Sequence, residues 1–557
     1  MKIVECVPNF SEGRDRAKID AITREIAKTK GARLLDVDPG EATNRTVVTF
    51  VGTPDAVREA AFSAIKKASE LIDMRKHHGA HARMGATDVC PFIPVAGVTM
   101  EECVKIAREV AARVAKELKI PCYLYEEAAT NPERTNLAVV RKGEYEGLEQ
   151  KLKDPHWKPD YGEPEFNPRS GATIVGAREF LIAYNINLNT QDRRLAHEIA
   201  LNLREQGRAK RDKKGNIVRD GDGKAIQVPG KLQAVKAVGW YIDEYGIAQV
   251  SVNLTNYKIT PLYRLFEEGR KEARKLGLRV TGSELVGLIP KEAMLQCGRY
   301  YLEKQGRCPG VPEAELIEAA VRSLGLDQLY PFKPEEKIIE YTIAREKPLL
   351  SLNLQQFSDE LSGDSPAPGG GSVAALAGAL GASLTSMVAN LTYGKQDYTR
   401  YYKRMKRIAG ESQSLKDEFL GLIERDTEAF NNVMSAMRLK KKTEEEKRIR
   451  GEALEAATKD AILVPLEMMR KSDEILSLAS QAEKFGNQNT VSDAGVAALM
   501  ADAACDAAYL NVIINLANIG DKRFADETAK EAEGIRKRVK KKSKRIVKKV
   551  IAKLTGV

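Results

Sequence analysis

With 557 residues, 43 % of them hydrophobic and 30 % charged, the chain has an ordinary soluble composition and room for about three or four cores. Seven cysteines are dispersed without a CxxC pair, which argues against a disulfide framework and for reduced thiols in a cytoplasmic protein; MKIVECVPNF lacks the apolar core of a signal peptide. The net charge of +11 invites a nucleic-acid reading, but from Lys530 onward twelve Lys or Arg face two Glu, a net of +10, so the rest of the chain is close to neutral.

The first 125 residues alternate between strand and helix periods. Ile3 to Val7 reads as a strand and Ile19 to Ile26 as a helix. Ala32 to Val37 and Thr46 to Val51 read as strands, with Asp38-Pro39-Gly40 as the turn between them. Thr53-Pro54 opens a helix with the stripe Val57, Ala61, Ile65, Ala68 and Ile72. Val89 to Val95 is the next strand, Thr99 and Glu102 form a capping box, and Pro121 to Tyr125 is a further strand. Residues 179 to 303 repeat the scheme, interrupted by the charged, Gly-rich excursion Arg208 to Gly230, expected to be exposed. The predicted fold class is α+β, with two tandem ferredoxin-like βαββαβ subdomains (1–178 and 179–329), then an all-α helical bundle. Pro331, Pro334 and Pro348 mark a linker over 330–348, and helical periods fill 349–557. The uncharged run Ser365 to Gly394 has the length of a membrane span. Its small residues, and the absence of a Lys/Arg loop asymmetry or aromatic belt, favour a bundle core, and no membrane partner is expected.

Four places carry chemistry. Arg75 to Val95 holds His77, His78 and His81 among cations, where the protonated imidazole is disfavoured and a histidine is ready to accept a proton; a solvated basic turn is the alternative. Gly79 interrupts any ligand spacing and HExxH is absent, so zinc is not expected. Asp426 falls on the apolar stripe Leu415, Phe419, Leu422, Ile423, Phe430, where a carboxylate is either functional or bonded to a neighbouring hydroxyl. PAPGGGS, with Gly369, Gly370, Gly371 and Ser372 entering a helix, offers backbone N–H groups to an anion or is simply a tight helix entry. FGNQNTVSDAG, with Asn487 and Asp493, suits recognition of a heterocycle or a capped helix start.

These residues carry a family resemblance. VECVPNFSEGR at 4–14, LLDVDPGEATNRTVVTFVG at 34–52, HHGAHARMGATDVCPFIPV at 77–95, GATIVGAREFLIAYNINL at 171–188, ALNLREQGR at 200–208 and GSELVGLIP at 282–290 resemble glutamate formimidoyltransferase. SPAPGGGSVAALAGALGASLTSMV at 365–388 with DTEAF at 426–430 is similar to formimidoyltetrahydrofolate cyclodeaminase, and the two in this order resemble the bifunctional formimidoyltransferase-cyclodeaminases. The resemblance implies transfer of a formimidoyl group from N-formimidoyl-L-glutamate to tetrahydrofolate, in histidine degradation. Ring closure to 5,10-methenyltetrahydrofolate, with loss of ammonia, follows. It implies His81 as the transferase catalytic residue and Asp426 as that of the cyclodeaminase. It places a folate-binding segment on Gly162, Glu163, Pro164, Glu165, Phe166, Asn167, Pro168, Arg169, Ser170 and Gly171. Assembly into a dimer or ring of dimers is a further family expectation. Tetrahydrofolate, possibly polyglutamylated, is expected as co-substrate, with no metal, since both reactions move protons and no electrons. Asn44 and Arg45 of the NRT motif, and Arg178, are candidates for the substrate carboxylates by charge and position. Two other readings are a monofunctional transferase with a scaffold C-terminal domain, and a nucleic-acid binder using the basic tail. RNA-binding sheets of this type expose an RNP pattern of aromatics; the strands here have none, so no nucleic-acid partner is expected.

Overall fold

The first strands alternate residues toward two faces, and the face that takes Val4, Cys6, Val48, Phe50, Cys90 and Phe92 is closed by amphipathic helices. The computed structural model describes all residues except 1, 42–43, 80–81, 243–244, 343–347 and 557. By packing, the chain divides into two units: Met1–Ala293 with Leu324–Ala344, and Met294–Ser323 with Arg345–Val557.

The chain begins with β1 (Ile3–Cys6), β2 (Asn9–Phe10), α1 (Arg16–Lys28), β3 (Ala32–Gly40), β4 (Arg45–Gly52), α2 (Pro54–Leu71) and β5 (Thr87–Ala96). Next come α3 (Met100–Leu118), β6 (Cys122–Glu126), the short α4 (Leu137–Val140) and α5 (Leu148–Leu152), and β7 (Thr173–Ala177). β1 and β2 are successive segments lying between β4 and β5, so the sheet runs β3, β4, β1/β2, β5, β7, β6. Pairing is antiparallel except for the parallel β5–β7 and β6–β7 pairs. Residues from α1, α2 and α3 cover one face. Over β5, β6 and β7 the opposite face is closed by Val140, Leu148 and Leu152.

Two expectations for this part are corrected. Asp38-Pro39-Gly40 is not a turn but the end of β3, paired with Val47, Thr46 and Arg45. β3 is an edge strand, so the N–H that proline lacks is not needed by a second neighbour. β7 was not expected as a strand at all; TIVGA is a five-residue, fully buried run without alternation, and such runs carry no periodic signal.

The second sheet of this unit follows from β8 (Ile182–Leu188), α6 (Arg193–Leu203), β9 (Arg208–Ala209), β10 (Gln227–Val228), β11 (Val235–Ile242), β12 (Ile247–Leu254), α7 (Leu262–Lys275) and β13 (Val280–Val286). Its order is β11, β12, β8, β13, antiparallel throughout. The excursion at 208–230 is mostly exposed, as expected, and carries its own β9–β10 pairing.

The remaining helices are α8 (Lys291–Lys304), α9 (Glu313–Leu324), α10 (Pro334–Lys337), α11 (Ile339–Thr342), α12 (Leu354–Ser362), α13 (Gly370–Thr392), α14 (Tyr402–Met437), α15 (Glu444–Phe485), α16 (Val491–Leu516) and α17 (Lys522–Thr555). The N-terminal half is thus mixed α/β and the C-terminal half mostly helical. α13 buries Gly378, Ala379, Ala382, Thr385 and Ala389, small residues that let α14 and α16 approach closely. Gly378 faces the Phe419 ring: a Cβ there would lie 2.3 Å from Phe419 Cε1. The basic tail is α17, which lays Ile535, Val539, Ile546 and Val550 into the bundle. Many of its cations are spent within it: Arg536 and Lys540 on Asp506, Lys542 on Asp473 and Lys553 on Glu483. Phe419→Ala is expected to cost the helical unit about 3–5 kcal/mol, read as a lower urea midpoint for that unit.

Candidate active sites

The histidine loop is held from several sides. Asp73 caps the short turn Met74–Lys76, and His77 lies buried just beyond it. His77 Nε2 donates to the Asn44 carbonyl (2.8 Å), and its Nδ1 accepts from Arg83 Nε (3.2 Å). Burial, reinforced by the Arg83 guanidinium and opposed by the Asn44 carbonyl, holds this imidazole below its usual range. His77 is therefore neutral, in one tautomer and fully engaged; its place in the fold makes it an anchor rather than a free base. Arg83 in turn is clamped by Glu144 (3.0 Å) and Glu146 (2.5 Å). A cavity of about 430 Å³ opens here, lined by His78, Gly79, Arg83, Gly143, Glu144 and Glu146. His81 lies outside the described residues.

Asn44 joins this loop to the first strands. It adopts a left-handed φ of 48°, its Oδ1 accepts from the Gly13 N–H, and its Nδ2 donates to the His78 carbonyl. Glu12 next to it accepts from the N–H groups of Arg14 and Asp15 and from Lys18. Burial raises its carboxyl, but those donors outweigh burial and leave it below the usual range. Arg45 is turned toward Asp38, Asp88 and Arg141, with burial and then Arg141 lowering its pKa. Asp88 itself is fully buried against Arg141.

The segment Gly162 to Gly171 is brought directly to the histidine loop. Gly162, Glu163, Pro164 and Glu165 are exposed, and Gly162, Glu163 and Glu165 line a cavity of about 340 Å³ with Lys116 and Lys119. Phe166 packs against Tyr145, whose hydroxyl donates to the Pro168 carbonyl. Asn167 Oδ1 accepts from the N–H groups of Arg169 and Ser170. The carbonyls of Arg169 and Ser170 take the N–H groups of Met74 and Ala86, one on each side of the histidine loop (both 2.9 Å). Gly171 has φ 65°, and a Cβ there would lie 2.2 Å from the Met84 carbonyl oxygen. Arg178 is placed elsewhere on this sheet, just past β7, with its N–H on the Phe92 carbonyl.

In the helical unit the sequence points Asp426 and GGGS converge. Gly369 precedes α13 without any side-chain cap. Ser372 Oγ donates to Asp426 Oδ2 at 3.1 Å, and the Ser372 N–H also reaches that carboxylate. Asp426 thus sits at the start of α13, in the place expected for a bound anion. Gly371 makes room: a Cβ there would be 2.0 Å from Asp426 Oδ1. Burial raises the Asp426 carboxyl above the usual carboxylate range, while the Ser372 hydroxyl and N–H pull it down. Asn511, which sequence reading missed, lies beside Gly370. Its signal was hidden because it comes from α16, where an asparagine between Leu510 and Val512 belongs to no motif.

Asn487 and Asp493 are not brought to Asp426 within the chain. Asn487 caps the turn before α16, with Oδ1 accepting from the Asn489 N–H, and its own N–H donates to Thr392 Oγ1. Thr392 ends α13 and Ser372 begins it, so the two places are about 30 Å apart at 1.5 Å per residue. Asp493 lies in the first turn of α16, at the same end.

Comparison with known proteins fits this arrangement. A model of the formiminotransferase domain, N-terminal subdomain, matches residues 3–178, one of the formiminotransferase domain matches 183–344, and one of formiminotransferase-cyclodeaminase matches 353–534. The chain is 45 % identical over 531 residues to the formimidoyltransferase-cyclodeaminase of Rattus norvegicus, spanning 95 % of each. The chain belongs to the formimidoyltransferase-cyclodeaminase family. It is also 45 % identical over 302 residues to a glutamate formimidoyltransferase of Streptococcus pyogenes serotype M1 (54 % of this chain, 94 % of that one). With a methenyltetrahydrofolate cyclohydrolase of Methylorubrum extorquens it shares 43 % identity over 182 residues (33 % and 88 %). The formiminotransferase models thus cover the stretch that holds the histidine loop, and the formiminotransferase-cyclodeaminase model covers the stretch that holds Asp426.

Two outcomes follow from the geometry. Gly171→Ala is expected to lower transferase turnover while ring closure is kept, because the strained contact displaces the histidine loop; separate assays of the two half-reactions check it. Ser372→Ala removes the hydroxyl donor to the ionised Asp426 and keeps the backbone N–H, so its pKa rises further. If the carboxylate acts as base, the acidic limb of the ring-closure pH profile moves to higher pH.

Proposed function

We propose that the chain carries two active sites that act in sequence on one folate. The first moves the formimidoyl group of N-formimidoyl-L-glutamate to N5 of tetrahydrofolate, and the second closes the product to 5,10-methenyltetrahydrofolate and expels ammonia. The observation that carries this reading is the match to a bifunctional relative over 95 % of the chain, joined to a half-buried carboxylate, Asp426, that burial pushes above its usual range in the C-terminal stretch.

At the first site N5 attacks the amidine carbon and the glutamate nitrogen departs through a tetrahedral intermediate. One group must take the proton from N5 and return it to the leaving nitrogen. His77 is occupied at both ring nitrogens; the role is given to His81 because the motif resemblance implies it. Gly162 to Gly171 form the folate segment in this reading, supported by its backbone bonds to both sides of the histidine loop. At the second site N10 attacks the same carbon. Asp426 takes the N10 proton and delivers it to the departing nitrogen, with Ser372 and the start of α13 holding the ionised form before the first transfer and after the second.

Further parts of the reading rest on single supports. The two sheets are taken as ferredoxin-like βαββαβ units because, with β1 and β2 counted as one strand, the second, third, first and fourth strands lie side by side in both. Homo-oligomer formation is supported by apolar residues left exposed along α13 and α16, among them Val373, Leu380, Leu391, Leu499, Leu510 and Ile514. A cytoplasmic setting is supported by seven free, buried cysteines. Pairing of the tail's cations with carboxylates of its own bundle speaks against a nucleic-acid role.

His81→Ala is expected to cut transferase turnover on the order of 10²–10⁴-fold and leave ring closure of supplied 5-formimidoyltetrahydrofolate intact. Asp426→Asn should do the reverse and let that intermediate accumulate. Parallel assays of glutamate release, methenyl absorbance and ammonia decide it: loss of ring closure in a folded His81→Ala protein would contradict two sites, and undiminished ammonia release by Asp426→Asn would reduce the aspartate to packing.

A further inference from the structure

The histidine loop carries one carboxylate more than its arginine needs. The Arg83 side chain is only 7 % exposed and gives its Nε to His77. Glu146 alone meets the outer edge of that guanidinium with two bonds, from Nη2 (2.5 Å) and Nη1 (2.9 Å), the bidentate pairing that satisfies an arginine. Glu144 is nevertheless brought to the same Nη1 through Oε2 (3.0 Å), on a left-handed backbone of φ 54° that a residue with a side chain adopts at a cost. Its other oxygen, Oε1, accepts no hydrogen bond among the described residues, and 44 % of the side chain is exposed, so a ligand can reach it.

Both glutamates line the cavity of about 430 Å³, where carboxylates outnumber the guanidinium by one and the other walls are His78, Gly79 and Gly143. Among the described residues no apolar side chain lines it, which suits a small cation with several N–H groups better than a flat aromatic ring. Glu144 and Glu146 also flank Tyr145, whose N–H donates to the Arg83 carbonyl (2.8 Å), while its ring meets Phe166 and its hydroxyl the Pro168 carbonyl. The two carboxylates therefore sit where the histidine loop is joined to the segment Gly162 to Gly171. N-formimidoyl-L-glutamate brings a fitting cation to that place: its amidine is basic enough to be protonated at neutral pH, with N–H groups on both nitrogens. We propose that Glu144 receives the terminal nitrogen of this amidinium, with Glu146 and Arg83 holding its carboxylate in place, so that Glu144 selects an amidinium over a neutral amide. The assignment rests on the transferase reading above and names the residue that recognises the group transferred. During transfer the bond from the amidine carbon to N5 forms, the bond to the glutamate nitrogen breaks, and the N5 proton passes to that nitrogen. The terminal nitrogen stays on the carbon throughout. A carboxylate bonded to it holds the group in donor and product alike and takes no proton itself.

The test uses the full chain, with N-formyl-L-glutamate as competitor; it carries a carbonyl oxygen where the substrate carries the terminal nitrogen. Glu144→Gln should raise KM for formimidoylglutamate about 10- to 100-fold, the usual loss for a hydrogen bond to a charged group. The glutamine amide can donate to the formyl oxygen, so the competitor's inhibition constant should stay level or fall, and KM for tetrahydrofolate should be nearly unchanged. Glu144→Asp, which keeps the charge but withdraws it, should lie between wild type and Glu144→Gln. Glu144→Gln should melt with the wild type, because Arg83 keeps its bidentate partner Glu146. An unchanged KM, or an equal rise in KM and in the competitor's inhibition constant, overturns the inference and leaves Glu144 as a second clamp on Arg83. A rise confined to KM for tetrahydrofolate gives the cavity to the folate and overturns it as well. In each of these cases the transferase reading stands; no transferase turnover by the wild-type chain overturns both.

Discussion

The contact between Asp426 and the first turn of α13 sets the organisation of the helical unit. A helix that begins Gly-Gly-Gly has no side-chain cap of its own, and its first N–H groups need an acceptor. Asp426 supplies it from α14, fifty-four residues further along the chain. The carboxylate is thereby caught between two opposed effects, burial that favours its proton and donors that favour its charge. A proton carrier needs both states within reach, and neither a solvated nor a firmly salt-bridged aspartate offers that. The small residues of α13 serve the same end, since Gly371 is what lets the carboxylate approach.

In the transferase unit the same problem, polar groups held in a dry place, is solved by backbone rather than by helix ends. The histidine loop is pinned by the carbonyls of Arg169 and Ser170 on either side, and by the chain from Asn44 through His77 and Arg83 to Glu144 and Glu146. Left-handed backbone at Asn44 and Gly171 is part of that pinning. These are strained or desolvated positions retained next to the proposed chemistry, where pre-organisation offsets the loss of stability.

Much of the architecture was legible before any coordinates. Helix starts at Thr53-Pro54 and at the Thr99–Glu102 box were read correctly because capping is local chemistry. The change from strand period to helical period separated the mixed half from the helical one. What failed was non-local. Pro39 sits in a strand because that strand is an edge, and β7 carries no alternation because it is buried on both faces. Nothing in the spacing of His77, His78 and His81 told them apart, and it is tertiary partners at both nitrogens that make His77 an anchor. Asp426 and Ser372 were each singled out, but their contact lies across two helices, and no spacing rule joins them. Asn487 and Asp493 were grouped by polarity, which says nothing about which end of a long helix they occupy.

The central claim is that one chain performs two successive reactions with a discrete folate intermediate between them. A single-turnover experiment measures this directly: enzyme in excess is mixed with formimidoylglutamate and tetrahydrofolate, and glutamate, 5-formimidoyltetrahydrofolate and ammonia are quantified by rapid quench. Glutamate should be released first, the formimidoyl intermediate should rise and then decay, and ammonia should follow with the rate of that decay. Ammonia released in step with glutamate and no intermediate at any time, or glutamate without ammonia, would contradict it.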